Sequence, residues 1–112
     1  MLPKELIAAS SKPLVLSLLA RGESYGYEII QQVRAFSGAK IEWTDGMLYP
    51  VLHRLEREGL VVSEWKQVPN GRHRKYYRLT AQGKESLHTE RRRWLAVHQT
   101  LTNVWNPQIC PT

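Results

Sequence analysis

The hydrophobic periodicity of this sequence changes near residue 60 and changes back near residue 80. Before residue 60 the apolar residues recur three and four positions apart, which is the spacing of one face of an α-helix. Residues 60–65 and 73–80 are instead rich in β-branched and aromatic residues, and the intervening Val68-Pro69-Asn70-Gly71 stretch favours a tight turn. After Thr80 the helical spacing returns. This order predicts three helices, a two-stranded hairpin and a final helix.

Capping residues and prolines set the expected limits of the first two helices. The first covers Leu2 to Arg21, and Pro13 is expected to break or kink it, because a proline inside a helix removes a hydrogen bond and clashes with the preceding turn. The second is predicted to run from an N-cap at Ser24 to about Phe36.

The third helix has the clearest pattern. Residues 40–43 are expected to form a minor strand before it, Thr44 to cap it and Gly59 to end it, with a bend near Pro50. Its predicted apolar set is Met47, Leu48, Val51, Leu52 and Leu55. Leucine at three of these five positions indicates a helix packed firmly on a core.

The last helix is expected to run from Ala81 to about Asn106, with Thr80 as its cap and Pro107 at its end. At ~1.5 Å per residue it would be roughly 38 Å long. The predicted fold class is therefore mainly α with a small β-hairpin: a winged helix-turn-helix plus a long C-terminal dimerisation helix. Residues 1–80 would form the DNA-binding domain, residues 81–106 the dimerisation helix and residues 107–112 a tail.

Length and composition exclude several classes of protein. The 112 residues are enough for one domain, and 42% hydrophobic with 23% charged residues is typical of a globular chain. No apolar run reaches the ~18–20 residues of a membrane span, and no secretory signal is visible. The single cysteine, Cys110, excludes a disulfide framework and a cysteine zinc cluster. We therefore expect a cytoplasmic protein.

The positive charge is concentrated in one quarter of the chain. Between Lys66 and Arg93 there are nine Lys and Arg residues and two Glu residues, whereas the rest of the chain is close to neutral. Such a field suits the phosphates of nucleic acid. The alternative is a solvated face that only aids solubility. Within this segment, the consecutive arginines Arg91–Arg93 cannot all face one partner, and solvation explains them as well as DNA contact.

The predicted outward face of the third helix carries side chains suited to DNA. Gly46 lets a backbone approach, Tyr49 can meet a phosphate or a thymine methyl group, and His53 can donate a hydrogen bond. The whole stripe is Gly46, Tyr49, Pro50, His53 and Arg57, with Thr44 and Arg54 at its edges. A merely solvated face is the alternative, although Tyr49 and Pro50 are semi-apolar.

The turn of the hairpin concentrates further cations. Arg72, Arg74 and Lys75 follow Gly71 closely, and arginine suits the narrow minor groove, where negative potential is focused. Basic residues also protect edge strands from aggregation, which would explain one or two of these charges.

The last helix carries a heptad-like apolar seam beyond the winged unit. Its members are Leu87, Trp94, Val97, Leu101, Val104 and Trp105. A second chain is the natural cover for such a seam, and a two-fold dimer would place two reading helices roughly 34 Å apart, one DNA turn.

Enzyme motifs are missing: the four histidines lack metal-ligand spacing, and no glycine-rich phosphate loop or nucleophile elbow is present. We expect no cofactor and no metal.

The run Gly46-Met-Leu-Tyr-Pro-Val-Leu-His-Arg-Leu-Glu-Arg-Glu-Gly-Leu60 resembles the signature of the PadR family of bacterial transcriptional regulators. The similarity extends to Ser24-Tyr-Gly-Tyr-Glu-Ile29 before it and Gly71-Arg-His-Arg-Lys-Tyr-Tyr-Arg-Leu-Thr80 after it. The short-form members, with a single C-terminal helix, are the most similar. The resemblance implies a homodimer that represses genes from an inverted-repeat operator, with DNA contacts at Tyr25, along Thr44–Arg54 and at Arg72–Lys75.

The resemblance also implies a ligand site. Some short-form relatives bind flat aromatic or drug-like effectors at the dimer centre, where a tryptophan stacks on the ligand. Trp94 matches that tryptophan, and Leu6 and Ser17 would form the opposing wall. The sequence therefore predicts a repressor released by a small planar effector. A ligand-independent or non-specific nucleic-acid-binding module is the alternative.

Overall fold

A computed structural model describes residues 2–106 and 108 of the chain. Within these residues the chain forms four helices and three strands: α1 Lys4–Ala20, β1 Ser24–Tyr25, α2 Gly26–Phe36, α3 Asp45–Arg57, β2 Val61–Gln67, β3 His73–Leu79 and α4 Ala81–Trp105. The predicted fold class and the order of the helices and the hairpin are confirmed, and β1 is an addition. Pro107 and Cys110, on which two sequence expectations rest, lie outside the described residues.

The core lies where the three N-terminal helices meet the sheet. Each helix buries one face there, as its apolar spacing dictates. The fully buried side chains are Val15 and Leu16 of α1, Ile29 and Val33 of α2, Leu48, Leu52 and Leu55 of α3, and Val61 and Tyr77 of the sheet. The alternating residues that reach the core from β2 and β3 fix which face of the hairpin points inward.

The prediction of a break at Pro13 is wrong, because α1 runs through the proline as one helix, whereas its alternative, a kink, stays a prediction. Ser10 and Ser11 donate their hydroxyls to the carbonyls of Ile7 and Ala8, at 3.0 and 2.7 Å, in the turn before the proline. Buried side chains on both sides of Pro13 belong to the same core, so tertiary packing offsets the cost of the missing hydrogen bond. The third helix likewise continues through Pro50.

Two local predictions between the helices are also wrong. Ser24 is not the N-cap of α2: it lies in β1, pairs with Tyr77 and donates its hydroxyl to the Glu28 carboxylate, so Tyr25 takes the cap position. Residues 40–43 form no strand, because Ile41 and Trp43 reach the core from irregular backbone.

The sheet is antiparallel in the order β1-β3-β2. The β2–β3 register runs from Val61 opposite Leu79 to Gln67 opposite His73. The turn closes with the Val68 N–H donating to the Arg72 carbonyl at 2.8 Å, and Gly71 there has a φ of +85°, a region that favours glycine. This hairpin, residues 61–79, is called the wing below.

The last helix begins as predicted. Thr80 accepts a hydrogen bond from the Gly83 N–H at 3.0 Å and donates one to the Gly59 carbonyl at 2.7 Å, so the cap also ties α4 to the end of α3. Leu87 is buried in the chain's own core. Beyond it the helix lines a groove with α1 as far as Trp94 and Leu95, and its later apolar side chains are exposed. The molecule extends over 62 × 30 × 21 Å.

Candidate nucleic-acid interface

The outward face of α3 is largely as the sequence predicts. The residues of the predicted stripe that are solvent-exposed are Thr44, Gly46, Pro50, His53, Arg54 and Arg57. The buried leucines of α3 hold the opposite face in the core, so the orientation of this stripe is fixed by packing. A helix exposed in this way can enter a major groove.

Tyr49 differs from the rest of the stripe, because its ring is half-buried and packs against the core. Its hydroxyl lies so close to α2 that a Cβ at Gly26 would be 2.6 Å from it. The ring also sits beside His53, with 6.1 Å between ring centroids. Tyr49 therefore both supports the neighbouring side chains and offers only its outer edge to a partner.

The wing carries its cations in two different settings. Arg72 and His73 are exposed at the turn, whereas Arg74 and Lys75 are half-buried within β3. The guanidinium carbon of Arg74 lies 4.4 Å from the ring centroid of Tyr25, in a cation–π contact. The Lys75 ammonium nitrogen lies 5.6 Å from the ring centroid of Tyr77. The predicted cluster at the tip is thus spread along the strand.

A groove of about 280 Å³ opens between the start of α2, the side of α3 and the wing. Its lining residues are Tyr25, Gly26, Tyr27, Tyr49, Trp65, His73, Arg74 and Lys75. The first residues of α2, Gly26 and Tyr27, lie at this groove, and no side chain caps the amides of that first turn. Amide donors beside cations and aromatic rings suit a phosphate backbone.

Sequence reasoning missed Tyr27 and Trp65, which are both exposed beside this groove. Tyr27 follows the two-residue strand β1, which is too short to produce a periodic signal in the sequence. Alternation could not have found Trp65, because it lies four positions after the buried Val61 in β2, on the same face of the strand, and is nevertheless exposed.

One cation of the basic segment is held by an acidic neighbour. The Lys66 ammonium lies 2.5 Å from a Glu23 carboxylate oxygen. This hydrogen bond raises the pKa of Lys66 above its ordinary value of 10.5, with smaller contributions from the Glu23 and Glu64 charges. Because Glu23 offsets its charge, Lys66 adds less to the field of the wing than Arg72 does.

The residues expected at an effector site are brought together only in part. A groove of about 330 Å³ between α1 and α4 is lined by Ser10, Pro13, Leu14, Ser17, Arg91, Trp94 and Leu95. Trp94 and Ser17 therefore face one cavity. Leu6 does not line it and is exposed further along α1.

The seam of α4 is exposed beyond its first turns. Val97, Leu101, Val104 and Trp105 are large apolar side chains in contact with solvent, and Trp105 is 68% exposed. Leu87 does not belong to this surface, because the chain's own core already covers it, and this corrects its predicted role at an interface. Trp94 is half-buried at the inner end of the seam.

Within residues 2–106 and 108, no group of three or more His, Cys, Asp or Glu side chains is arranged to hold a metal ion. In the same part of the chain, no helix is both long and apolar enough to cross a membrane.

Comparison with known proteins gives concordant matches. A family model described as the transcriptional regulator PadR-like family matches residues 15–89. Transcriptional regulator Rv3488 of Mycobacterium tuberculosis is 37% identical over 89 residues, which are 80% of this chain and 79% of that protein. The negative transcriptional regulator PadR of Bacillus subtilis is 31% identical over 80% of this chain and 47% of its own length. The crystal structure of a PadR-like transcriptional regulator from Bacillus cereus superposes with a TM-score of 0.82 at 26% identity, covering 94% of this chain and 100% of that one.

Proposed function

The chain belongs to the PadR-like family of transcriptional regulators, and from this premise we propose that it is a homodimeric repressor that binds an inverted-repeat operator. The observation that carries the proposal is the groove in which the start of α2, Tyr49 of α3 and the wing meet, with the exposed His53 of α3 beside Tyr49. One relative, from Bacillus subtilis, is named as a negative regulator, which favours repression.

The proposed contacts divide between α3 and the wing. On α3, His53 and Arg54 are exposed on the helix that would enter the major groove, so they would read base edges. Arg72 and the first amides of α2 would hold the phosphate backbone, as would Arg74 beside Tyr25. Phosphate contacts would supply most of the affinity and α3 most of the discrimination.

The exposed seam of α4 supports the proposed dimer. In a monomer four large apolar side chains would stay exposed to water, which is unfavourable, whereas a second copy of the chain would bury them. Two chains related by a two-fold axis would then present two copies of α3 to successive half-sites.

The groove between α1 and α4 supports the proposed effector. Trp94 and Leu95 line one wall, Pro13 and Leu14 line the other, and both walls adjoin the proposed dimer seam. A flat aromatic ligand that stacks on Trp94 would alter how α4 sits against α1. It would thereby favour a spacing of the two α3 helices that does not fit the operator.

Fluorescence anisotropy of the purified protein on a duplex from upstream of its own gene tests the DNA-binding part of the proposal. We expect saturation at two chains per site and retention of binding against excess scrambled duplex, at low and at moderate salt. Binding that the scrambled duplex removes equally well would instead indicate a non-specific nucleic-acid-binding module.

Two variants separate the proposed roles. His53→Ala should lose discrimination between operator and scrambled duplex, whereas Arg72→Ala should weaken both by a similar factor and lower the salt dependence. Lys84→Ala is the matched control, because Lys84 is an exposed cation of α4 away from the proposed surface. Equal effects of His53→Ala on every duplex would contradict the assignment of α3 as the reading helix.

Titration of Trp94→Ala and of the parent protein with a planar dye tests the effector site. We expect quenching of tryptophan fluorescence in the parent and at least tenfold weaker dye binding in the variant, an order of magnitude set by aromatic stacking. Unchanged dye affinity would remove Trp94 from the proposal.

A further inference from the structure

A second groove, of about 450 Å³, lies on a different face of α1 from the one that adjoins Trp94. Ile7 and Ala8 of α1 form one apolar wall, and Met47 and Val51 of α3 form the other. Trp43, which is buried in the loop before α3, closes one side. This volume falls in the range of small-molecule sites in proteins.

The groove explains a departure from the sequence pattern of α3. Met47 and Val51 belong to the predicted apolar set, yet Met47 is 41% exposed and Val51 is half-buried. Both side chains line the groove, so part of their apolar surface is not covered by any residue of the described chain. Methionine is also the side chain that best adapts its shape to an occupant.

Two cations line the same groove, Lys4 from the first turn of α1 and Arg54 from α3. Neither forms an ion pair with a carboxylate among the described residues, and no acidic side chain lines the groove. The groove thus combines an apolar interior with positive charge at its edge.

The one hydroxyl group among the lining residues of the groove already forms a hydrogen bond. The Ser11 hydroxyl lines the groove but donates to the Ala8 carbonyl at 2.7 Å. Ser11 therefore has no hydroxyl hydrogen left to donate to a polar substituent on the body of a ligand. This arrangement selects a plain hydrocarbon body with a single anionic end.

We propose that this groove binds a medium-chain fatty acid, with the acyl chain against Trp43, Met47 and Val51 and the carboxylate between Lys4 and Arg54. The site is separate from the effector groove at Trp94 and uses other residues. Because Arg54 also belongs to the proposed DNA surface, the bound carboxylate competes with DNA for this side chain. Fatty acid and DNA therefore weaken each other's binding by the same factor.

Titration of the full chain with decanoate below its micelle concentration tests the site. The indole N–H signal of Trp43, assigned by its loss in Trp43→Phe, serves as a local nuclear magnetic resonance probe. We expect decanoate to shift this signal until the site is saturated. We expect 1-decanol, which lacks the negative charge, to bind at least about fivefold more weakly than decanoate. The titration is run in the Trp94→Ala background, which removes the proposed stacking residue of the other groove.

Two variants with matched controls separate charge from shape. Lys4→Glu should weaken decanoate binding about fivefold or more while leaving 1-decanol unchanged. Its control, Lys84→Glu, makes the same change in net charge on α4. Ala8→Leu should block both probes by filling the groove, and Ala35→Leu, on the exposed side of α2, is its control. Glutamate in the first turn favours the helix dipole, so Lys4→Glu should fold, as circular dichroism would verify.

Three outcomes would overturn the proposal. The first is equal binding of decanoate and 1-decanol, which removes the anion from the site. The second is an effect of Lys4→Glu no larger than that of Lys84→Glu. The third is unchanged decanoate binding in Ala8→Leu, which would place the acyl chain elsewhere on the protein.

Discussion

At the scale of single residues, a missing methyl group determines how α2 meets α3. Gly26 is buried, and a Cβ there would lie 2.6 Å from the Tyr49 hydroxyl oxygen and 3.0 Å from the ring carbon that carries it. We expect Gly26→Ala to displace Tyr49 at a cost of about 1 kcal/mol in the free energy of unfolding, because a side-chain end can move. Operator affinity should fall with it, since Tyr49 supports His53. Urea unfolding and anisotropy measure the two effects.

The control for this change is Gly46→Ala in α3. A Cβ there meets only the Thr44 hydroxyl, at 3.8 Å, so alanine should raise the free energy of unfolding by up to about 1 kcal/mol through its helix propensity. Adding Tyr49→Phe to Gly26→Ala removes the crowded oxygen and should restore part of the lost stability. Similar stabilities of Gly26→Ala and Gly46→Ala would contradict the contact.

A second residue gives the fold a dependence on alkaline pH. Tyr77 is 1% exposed, and its burial, with the charge of Glu56 as a smaller cause, raises the pKa of its phenol from 10.0 to about 12. The neutral phenol therefore contributes stability that is complete below the unfolded-state pKa and is lost as pH rises through the folded-state pKa. We expect the free energy of unfolding to fall between about pH 10 and pH 12, and Tyr77→Phe to flatten that fall.

Urea unfolding at neutral pH and at about pH 11 separates this effect from general alkaline loss. The Tyr77 hydroxyl has no hydrogen-bond partner among the described residues, so Tyr77→Phe should cost little at neutral pH. Tyr27→Phe, which removes an exposed phenol, is the control and should keep the fall. A fall of equal size in Tyr77→Phe would exclude Tyr77 as its source.

At the scale of elements, the docking of α4 depends on a close approach between two backbones. A Cβ at Gly83 would overlap the carbonyl oxygen of Leu60, which cannot turn aside as a side chain does. That carbonyl also accepts the Thr80 N–H at 3.1 Å, so a displacement would break the link between α4 and the start of β2. We expect Gly83→Ala to lower the free energy of unfolding by about 3 kcal/mol, the upper end for overpacking.

Thermal or urea denaturation compares this variant with Gly26→Ala. Both variants add one methyl group at a buried glycine. The methyl group at residue 26 meets the Tyr49 side chain, which can move, whereas the methyl group at residue 83 meets the Leu60 backbone carbonyl, which cannot. Thr80→Ala removes the hydroxyl that caps α4 and that also donates to the Gly59 carbonyl, and it should cost about 1 kcal/mol. If Gly83→Ala is as stable as Gly26→Ala or more stable, α4 does not pack against the Leu60 carbonyl at Gly83.

The elements also show how far sequence reasoning reaches. The third helix and the wing were predictable, because their periods and turn residues point to one conformation. Thr44 takes the N-cap position of α3 as predicted, but its side chain forms no cap hydrogen bond. The break at Pro13 and the cap at Ser24 were mispredicted because burial overrides local propensity. Core residues on both sides of Pro13 keep α1 continuous, and Ser24 pairs with Tyr77 in the sheet. Such pairings depend on contacts distant in sequence, which periodicity does not report.

The same limit applies to the candidate site. Side chains on α3 could be assigned to the outer face, since helical geometry fixes them once the leucines are buried. The contact of Arg74 with Tyr25 joins residues from the two ends of the winged unit and could not be read from spacing. The sequence placed Arg74 beside the turn and within the predicted strand of residues 73–80, where it lies, but it gave no sign of the aromatic ring against it.

At the scale of the whole molecule, α4 extends beyond a winged unit that is already complete. The core contains Leu87 but none of the residues that follow it in α4. Lys12 lies between this helix and the end of α3, at 3.7 Å from Glu90 and 3.9 Å from Glu58. These two ion pairs connect α4 with the end of α3 through Lys12 of α1.

We expect Leu101→Arg to convert the proposed dimer to a folded monomer. Leu101 lies in the middle of the exposed seam, where a charge facing a second copy would be buried without a partner. Removing it from the interface leaves the core of the winged unit unchanged, so circular dichroism should retain its helical signal. Sedimentation velocity should show one species of half the parent mass, and operator affinity should fall because a single reading helix contacts one half-site.

Gln99→Arg is the matched control, because it adds the same charge to α4 on the face away from Leu101. It should remain dimeric and bind the operator as the parent does. Two results would contradict the proposed seam. If both variants stay dimeric, the two copies meet through another surface, and the spacing of the α3 helices must be set there. If the parent is itself monomeric at micromolar concentration, the seam serves a different partner, and Leu101→Arg should then leave operator affinity unchanged.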